Sequence, residues 1–300
     1  MAATTVPNLL TIDVEDYFHA NGLQSHVGRA QWTSMPGRVE HNTHRLLELL
    51  ANHDVRATFF VLGWVAARYP DLVREIHSQG HEIASHGWDH ELVYDQTPGE
   101  FDRDITRTKG FLEDLNGAAV YGYRAPSFSI VPKSWWALET LARAGHVYDS
   151  SIYPVRRSRY GVPDARTDVH TILEPTAEGP GLLEVPPPSI RLFGRNWPVA
   201  GGGYFRFYPL WVTRAALRRM NNREERPGVV YLHPWEIDPD QPRLPGTALN
   251  RWRHYLNLDR TEARIKRLLR DFEFMSIAQL LDLPTTHRVP QRADEMERVS

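Results

Sequence analysis

The feature that most constrains the fold is the alternation of short apolar runs with helical segments along the chain. Residues 9–14 and 57–62 are apolar runs with the length of buried strands, and the leucines of 43–53 recur at helical spacing between them. Further strands are predicted at 81–84, 119–123, 183–185 and 229–232, and further helices at 70–79, 99–115, 134–144, 209–221 and 262–272. This alternation predicts a parallel α/β fold, either barrel-like or doubly wound.

Length and composition limit the class of protein further. A chain of 300 residues fits one large α/β domain, although two small domains would also fit. The absence of cysteine excludes disulfides and thiolate zinc sites, so any metal must be held by imidazole and carboxylate. A formal charge of -2 provides no general attraction to nucleic acid or an anionic membrane surface, and favours a neutral or weakly charged substrate.

The N-terminal sequence, MAATTVPNLLTIDVED, has neither a basic start nor a long apolar run. It therefore predicts no signal peptide and no transmembrane helix, and we expect a cytoplasmic protein. The oligomeric state stays open.

A pair of histidines four residues apart, His86 and His90, occurs in the segment SHGWDH. Two imidazoles at this spacing can bind one metal ion from one side of a turn, with a third ligand from elsewhere. Histidines with ordinary structural roles also occur at this spacing. The pair alone therefore leaves both interpretations open.

Three acids follow the first predicted strand, in the segment TIDVED. Asp13, Glu15 and Asp16 would repel one another unless a cation or water separated them, and a metal ion would offset that repulsion. The alternative is a solvated turn in which Asp16 caps a helix. Ligands of parallel α/β folds bind at the carboxyl ends of strands, which favours the metal site.

Two further strand ends carry polar residues. Arg124, in YRAPSF, could pair with an acid of the site or could be an exposed arginine beside a turn. His233, in YLHPW, ends an apolar strand and is a candidate general acid.

In sequence order, the segments TIDVED, SHGWDH, YRAPSF and YLHPW resemble motifs of the polysaccharide deacetylase family, also called the NodB-homology family or carbohydrate esterase family four. A weaker motif lies at 148–154, and the resemblance spans about residues 9–235. The segments GGGYFR and HPWEIDP of this chain resemble segments of the family's subgroup that is associated with exosortase (PEP-CTERM) exopolysaccharide clusters. The implied fold is a distorted (β/α) barrel of about seven strands.

The resemblance implies roles for individual residues. Asp13 would be the catalytic base, His233 the catalytic acid, and Arg124 would hold Asp13 ionised and oriented. His86 and His90 would be metal ligands. The third ligand is ambiguous because this chain has Asp-Val-Glu-Asp where family members commonly have adjacent aspartates or an Asp-x-Asp pair: Asp16 is preferred by residue type, and Glu15 is the alternative.

The implied protein is a metal-dependent hydrolase that removes N-acetyl groups from an amino-sugar polymer or a lipid-linked oligosaccharide precursor. Its cofactor would be Zn²⁺ or another divalent ion such as Co²⁺. Residues within the motifs are expected to contact the substrate: Trp88, Pro126, Phe128 and Trp235. We expect a catalytic domain at 1–237, a C-terminal extension packed on the barrel at 238–283, and a disordered tail at 284–300.

Three other functions remain as alternatives. A cyclic amide or imide hydrolase of the allantoinase type would use the same fold. A carbohydrate-binding protein without turnover would not need the base and acid pair. A zinc-dependent phosphoesterase is disfavoured because the sequence has neither a second clear metal set nor a basic phosphate cradle.

Overall fold

A computed structural model describes residues 6–20, 27–157, 159–177 and 179–285. The predicted tail at 284–300 therefore lies, from residue 286 onward, outside the described residues. The strands are β1 Asn8–Val14, β2 Thr58–Val61, β3 Glu82–Ser85, β4 Gly122–Tyr123, β5 Tyr148–Asp149, β6 His170–Leu173, β7 Leu182–Glu184, β8 Ser189–Leu192, β9 Arg195–Pro198, β10 Val229–Leu232 and β11 Phe274–Met275.

One curled sheet organises the molecule. Its strand order is β10-β1-β2-β3-β4-β5-β7-β6, and β11 pairs with the start of β1 on the side opposite β10. The seven strands from β10 to β7 are mutually parallel, whereas β6 runs antiparallel to β7. The predicted class, a distorted (β/α) barrel of about seven strands, is confirmed, in the form of a half-barrel. The strands β8 and β9 form a separate antiparallel hairpin.

Helices connect and cover the parallel strands. They are α1 Val39–Ala51, α2 Gly63–Arg68, α3 Pro70–Ser78, α4 Pro98–Asn116, α5 Trp136–Arg143, α6 Gly202–Phe207, α7 Leu210–Arg223, α8 Ala248–Tyr255, α9 Leu258–Asp271 and α10 Ile277–Leu280. Every residue of β1 is buried, as expected for a central strand of a sheet with both faces covered. The apolar faces of α1, α3, α7 and α9 pack on one side of the sheet and form the largest hydrophobic cluster.

The C-terminal segment joins the edge of the sheet at the amino ends of the strands. There β11 pairs with the start of β1, and the backbone N–H groups of Ile277 and Ala278 donate to Thr58 Oγ1 and Glu82 Oε2, each at 2.8 Å. The carboxyl ends of the parallel strands lie at the opposite edge of the sheet. The boundary expected at residue 237 remains a prediction. Within the described ranges, we find no helix with the length and apolar character required to cross a lipid bilayer.

Candidate active site

Four parallel strands deliver the predicted residues to one edge of the sheet. Asp13 lies near the end of β1, and His86, Arg124 and His233 directly follow β3, β4 and β10. The registers pair Val14 with Val61, Val61 with Ser85 and Ser85 with Tyr123, so these strands end at one level. Parallel pairing therefore explains why residues more than two hundred positions apart meet.

A buried carboxylate and two imidazoles form a candidate metal site. Glu15, His86 and His90 each offer one ligand atom, and the three atoms lie within 4.8 Å of one another. Glu15 Oε2 is 2.8 Å from His90 Nε2. Burial alone would raise the pKa of Glu15, but His90 and His233 lower it below its usual range, so the carboxylate is ionised. One carboxylate and two imidazoles are a donor set that fits a divalent ion such as zinc.

The imidazole of His86 is oriented by the backbone. Its Nδ1 donates to the carbonyl oxygen of Arg124 at 2.7 Å, which leaves Nε2 with a free lone pair. Burial lowers the pKa of His86 to about 4, so the ring is neutral near pH 7. A neutral ring held by its second nitrogen is the usual state of a metal-binding histidine.

The structure places the adjacent acid, Asp16, elsewhere. Its Oδ1 accepts from the N–H of Tyr17 at 2.9 Å, and its Oδ2 accepts from the N–H groups of Arg38 and Val39 at 2.8 and 3.1 Å. The preference for Asp16 as the third ligand thus needs correction, because its carboxylate is fully engaged with backbone donors. The alternative, Glu15, lies beside the histidines. Asp16 is the N-cap of the 3-10 turn Tyr17–His19, as the alternative interpretation of the acidic segment expected.

Asp13 and Arg124 form a buried ion pair. Arg124 Nη1 donates to Asp13 Oδ1 at 2.6 Å and to Thr11 Oγ1 at 2.8 Å. The other side of the guanidinium is fixed by Ser150, whose hydroxyl accepts from Nη2 at 2.9 Å. The Arg124 side chain is fully buried, so it cannot leave Asp13 without exposing an unpaired charge to the interior. Asp13 is therefore held in one orientation.

His233 faces the same carboxylates from the other side. Its Nε2 lies 3.8 Å from Asp13 Oδ2 and 3.6 Å from Glu15 Oε1, and its Nδ1 donates to Glu236 Oε2 at 3.0 Å. Burial alone would lower the pKa of His233, but Glu15, Glu236 and Asp13 together raise it to about 9. The imidazolium is therefore the stable form at neutral pH, as a general acid requires.

Glu236 links His233 to the C-terminal segment. Its second oxygen, Oε1, accepts from Arg206 Nε at 2.6 Å, and both side chains are buried. Arg206 Nη1 also donates to the carbonyl oxygens of His254 and Leu256, at 2.7 and 3.0 Å, at the end of α8. The orientation of His233 therefore depends on residues 236–256.

The expected substrate-contacting residues have different environments. Phe128 lies beside the site, with its ring 5.1 Å from that of Tyr231 and 5.8 Å from the Arg124 guanidinium. Pro126 is buried and begins the 3-10 turn Pro126–Phe128. The positions of these two residues are compatible with the expectation.

Trp235 and Trp88 are placed differently from the expectation. Trp235 Nε1 donates to Glu15 Oε1 at 3.1 Å, and its ring is stacked between His233 and His254, with centroids 5.1 and 4.3 Å away. It orients a candidate ligand and has no face left for a sugar. Trp88 packs closely against Gly63 and beneath the Arg107 guanidinium, so its ring belongs to the layer of α2 and α4.

Several residues of the site were not found from the sequence. Glu236 lies three residues after His233, a spacing that could have identified it as a partner. Ser150 lies within the weak motif at 148–154 but has no chemical signature of its own. Arg206 reaches Glu236 across thirty positions, and local sequence gives no signal for that contact.

Two family models match the chain in succession. Residues 33–145 match the model described as polysaccharide deacetylase, and residues 150–282 match a domain of unknown function (DUF3473). The first match contains His86, His90 and Arg124, and the second contains His233. The boundary between the models falls at β5.

Curated relatives align with part of the chain. A peptidoglycan-N-acetylglucosamine deacetylase of Bacillus cereus is 34% identical over 98 residues, which are 32% of this chain and 36% of the relative. A chitooligosaccharide deacetylase of Azorhizobium caulinodans is 34% identical over 85 residues, which are 28% of this chain and 40% of the relative. The chain thus spans well under half the length of either relative.

A solved structure matches almost the whole chain. The crystal structure of a candidate polysaccharide deacetylase from Mycobacterium smegmatis has a TM-score of 0.60 and 20% identity, with coverage of 98% of this chain and 97% of the other. At this identity the likeness shows a shared fold. Residues 33–145 thus resemble the polysaccharide deacetylase family by the family model, and the curated relatives are similar to part of the chain.

Proposed function

We propose that this protein is a metal-dependent hydrolase that removes N-acetyl groups from an amino-sugar polymer or its lipid-linked precursor. The single observation that carries the proposal is the meeting of two sets of residues at one edge of the sheet. One set, Glu15, His86 and His90, fits a divalent ion. The other, Asp13 and His233, offers a base and an acid beside it. The relatives named above, which act on N-acetylated sugars by name, support the same class of substrate.

A divalent ion held by Glu15, His86 and His90 would supply Lewis acidity toward the acetamide carbonyl and toward water. Asp13 is placed to take the proton of the attacking water as the water oxygen bonds to the carbonyl carbon. The ion pair with Arg124 places a fixed positive charge against the Asp13 carboxylate and prevents it from rotating.

His233 is placed to complete the reaction. When the C–N bond breaks, the amine needs a proton, and the protonated His233 Nε2 lies on the same side as Asp13 Oδ2. Glu236 accepts the hydrogen of Nδ1 and so keeps Nε2 directed into the site. The products are acetate and the free amino sugar.

The alternatives explain less of the site. A metal-free cyclic amide hydrolase would not need three buried ligands with converging donor atoms. A carbohydrate-binding protein without turnover would have no use for a carboxylate and an imidazole facing each other in a buried site, and burying such groups costs stability. A metal-dependent cyclic amide hydrolase remains the second candidate, because it would use the same residues.

Acetate release tests the proposal. Purified protein is assayed with N-acetylglucosamine oligomers as isolated, after chelation, and after zinc or cobalt is restored. We expect release that chelation abolishes and metal restores, and that is retained by Asp71→Asn, a control acid whose side chain is 92% exposed. Metal binding without acetate release from any N-acetylated glycan would contradict the proposal, and turnover of a cyclic amide would favour the second candidate.

We further propose a role in exopolysaccharide biosynthesis. The support is the likeness of the segments GGGYFR and HPWEIDP to those of the exosortase-associated subgroup. Deletion of the gene should leave the secreted polymer with a higher N-acetyl content. A polymer with unchanged acetylation would contradict this role.

A further inference from the structure

Residues matched by the domain of unknown function carry a row of aromatic side chains on the surface. We call Tyr204, Phe207, Tyr208 and Trp252 the outer aromatic strip. The Phe207 and Trp252 rings are 5.9 Å apart, and their residues are 54% and 50% exposed. Phe207 and Tyr208 are 5.5 Å apart, and Tyr208 is stacked on Tyr204 at 6.3 Å. The four rings therefore form one continuous surface from α6 to α8.

An arginine without an acidic partner lies at one end of the strip. Arg157 Nε donates to the Tyr204 hydroxyl at 2.7 Å, and Nη1 donates to the carbonyl oxygen of Arg156 at 2.9 Å. The Tyr204 hydroxyl is also 2.8 Å from that of Tyr160, which fixes the arrangement. Arg157 is exposed, and no carboxylate among the described residues forms an ion pair with it. Its charge is thus oriented and available to an anion.

Aromatic contacts connect this end of the strip to the candidate active site. Tyr160, which touches Tyr204, is stacked on Tyr153 and lies 6.2 Å from Phe128. Phe128 contacts Tyr231 at 5.1 Å, and the Tyr231 ring is 6.1 Å from that of His233. Phe128 and Tyr231 are buried, so these contacts fix how far the strip lies from His233 and are not themselves a surface path. Ring-to-ring steps of 6.2, 5.1 and 6.1 Å separate Tyr160, at the end of the strip, from His233, a span that a hexasaccharide can cover.

We propose that the outer aromatic strip and Arg157 bind further sugar residues of an acidic glycan while one N-acetyl group is in the active site. This inference rests on the proposed function. Aromatic faces pack against the C–H faces of sugar rings, and a guanidinium binds a carboxylate or phosphate through paired hydrogen bonds. Residues 150–282, which match the domain of unknown function, would thereby set the preference of the enzyme for substrate chain length and for negatively charged substrates.

Two comparisons test the strip and the arginine separately. Trp252→Ala and Phe207→Ala should each lower, by about threefold to tenfold, the ratio of kcat/KM for an N-acetylglucosamine hexamer to that for the dimer. Phe193→Ala, which removes a 98% exposed ring from the β8–β9 hairpin, is the matched control and should leave this ratio unchanged. A wild-type ratio in both strip variants would overturn the strip as a binding surface.

Arg157→Gln should lower activity on acidic hexamers relative to the neutral hexamer. One acidic probe alternates N-acetylglucosamine with glucuronate, and the other carries a terminal phosphate on the N-acetylglucosamine hexamer, so the larger loss identifies the anion. Arg223→Gln, at the end of α7, is the control. Equal losses on the neutral and both acidic hexamers would overturn the role of Arg157.

Binding to a variant without turnover separates failure of this inference from failure of the proposed function. Calorimetry with Asp13→Asn measures hexamer affinity whether or not acetate is released. Weaker binding on adding Trp252→Ala supports the strip even if the wild-type protein proves inactive. Acetate release by the wild-type protein with unchanged affinity in that double variant would overturn the strip and leave the proposed function standing. Absence of both release and binding would overturn both.

Discussion

Glu15 and Asp16 are adjacent acids with different surroundings, and single substitutions should separate their roles. Glu15→Ala removes a candidate metal ligand whose Oε2 lies beside His90. Asp16→Ala removes a carboxylate that accepts backbone hydrogen bonds from Tyr17, Arg38 and Val39. We expect the first substitution to weaken metal binding strongly and the second to reduce stability.

The structure sets the size of both effects. Asp16→Ala leaves the backbone donors of Tyr17, Arg38 and Val39 without acceptors, at about 1–3 kcal/mol each. Burial, the main cause, raises the pKa of Asp16 to about 6, and relief of that penalty returns roughly 3 kcal/mol at neutral pH. The three lost acceptors together cost about 3–9 kcal/mol, so the free energy of unfolding should fall by at most about 6 kcal/mol, with about 3 kcal/mol at the middle of the range.

Glu15→Ala should change stability less and metal affinity more. The indole N–H of Trp235 loses its acceptor, which costs about 1–3 kcal/mol, while a buried charge is removed. Metal affinity should fall by more than about 100-fold, because loss of a residue that merely supports a ligand already costs 10–100-fold.

Metal affinity is measured as the zinc bound after dialysis at a fixed free zinc concentration. The free energy of unfolding is measured by urea denaturation in the presence of chelator. Asp71→Asn is the exposed control. A folded Asp16→Ala protein without metal, together with a Glu15→Ala protein that keeps its metal, would refute the assignment of the two acids.

Three further predictions concern other residues. Asp13→Asn should abolish turnover while bound metal is retained, and loss of metal would contradict its role as base. Glu236→Gln should lower kcat by about 100-fold or more with little change in KM, because an amide has one acceptor oxygen for the two donors, His233 and Arg206, and lacks the negative charge that favours the imidazolium; a wild-type kcat would contradict this. Burial raises the pKa of Asp149 to about 6, and burial together with Asp149 raises the pKa of Glu184 well above its usual value. Because the folded protein binds these protons more tightly than the unfolded chain does, the two carboxyl groups stabilise the fold at low pH, and this stabilisation declines as the pH rises through about 6. Glu184→Gln should reduce this decline in urea unfolding between pH 5 and 7, and an unchanged slope would contradict the coupling.

The strands and helices with long apolar patterns were predictable from the sequence. β1, β2 and β10 are continuous apolar runs because both faces of the sheet are covered, and α4 has leucine and isoleucine at helical spacing. β5 has two residues, and the hairpin strand β9 has the sequence RNWP with little burial, so neither shows a periodic pattern.

The site could be predicted as a set of strand ends but not in every contact. The choice between the acids had a usable signal, because side chains two apart on an extended chain share a face, as Asp13 and Glu15 do. Residue type favoured Asp16 instead, and the backbone donors that engage it come from a segment more than twenty positions away. The stacking of Trp235 on His254 also depends on a long-range contact that local sequence does not encode.

Zinc titration of the chelated protein tests the central claim most directly, with bound zinc and acetate release from N-acetylglucosamine oligomers measured in the same samples. We expect release to rise in proportion to bound zinc and to reach its maximum at one ion per chain. Full release before zinc is added, or one bound ion per chain without release, would contradict a metal-dependent deacetylase at Glu15, His86 and His90.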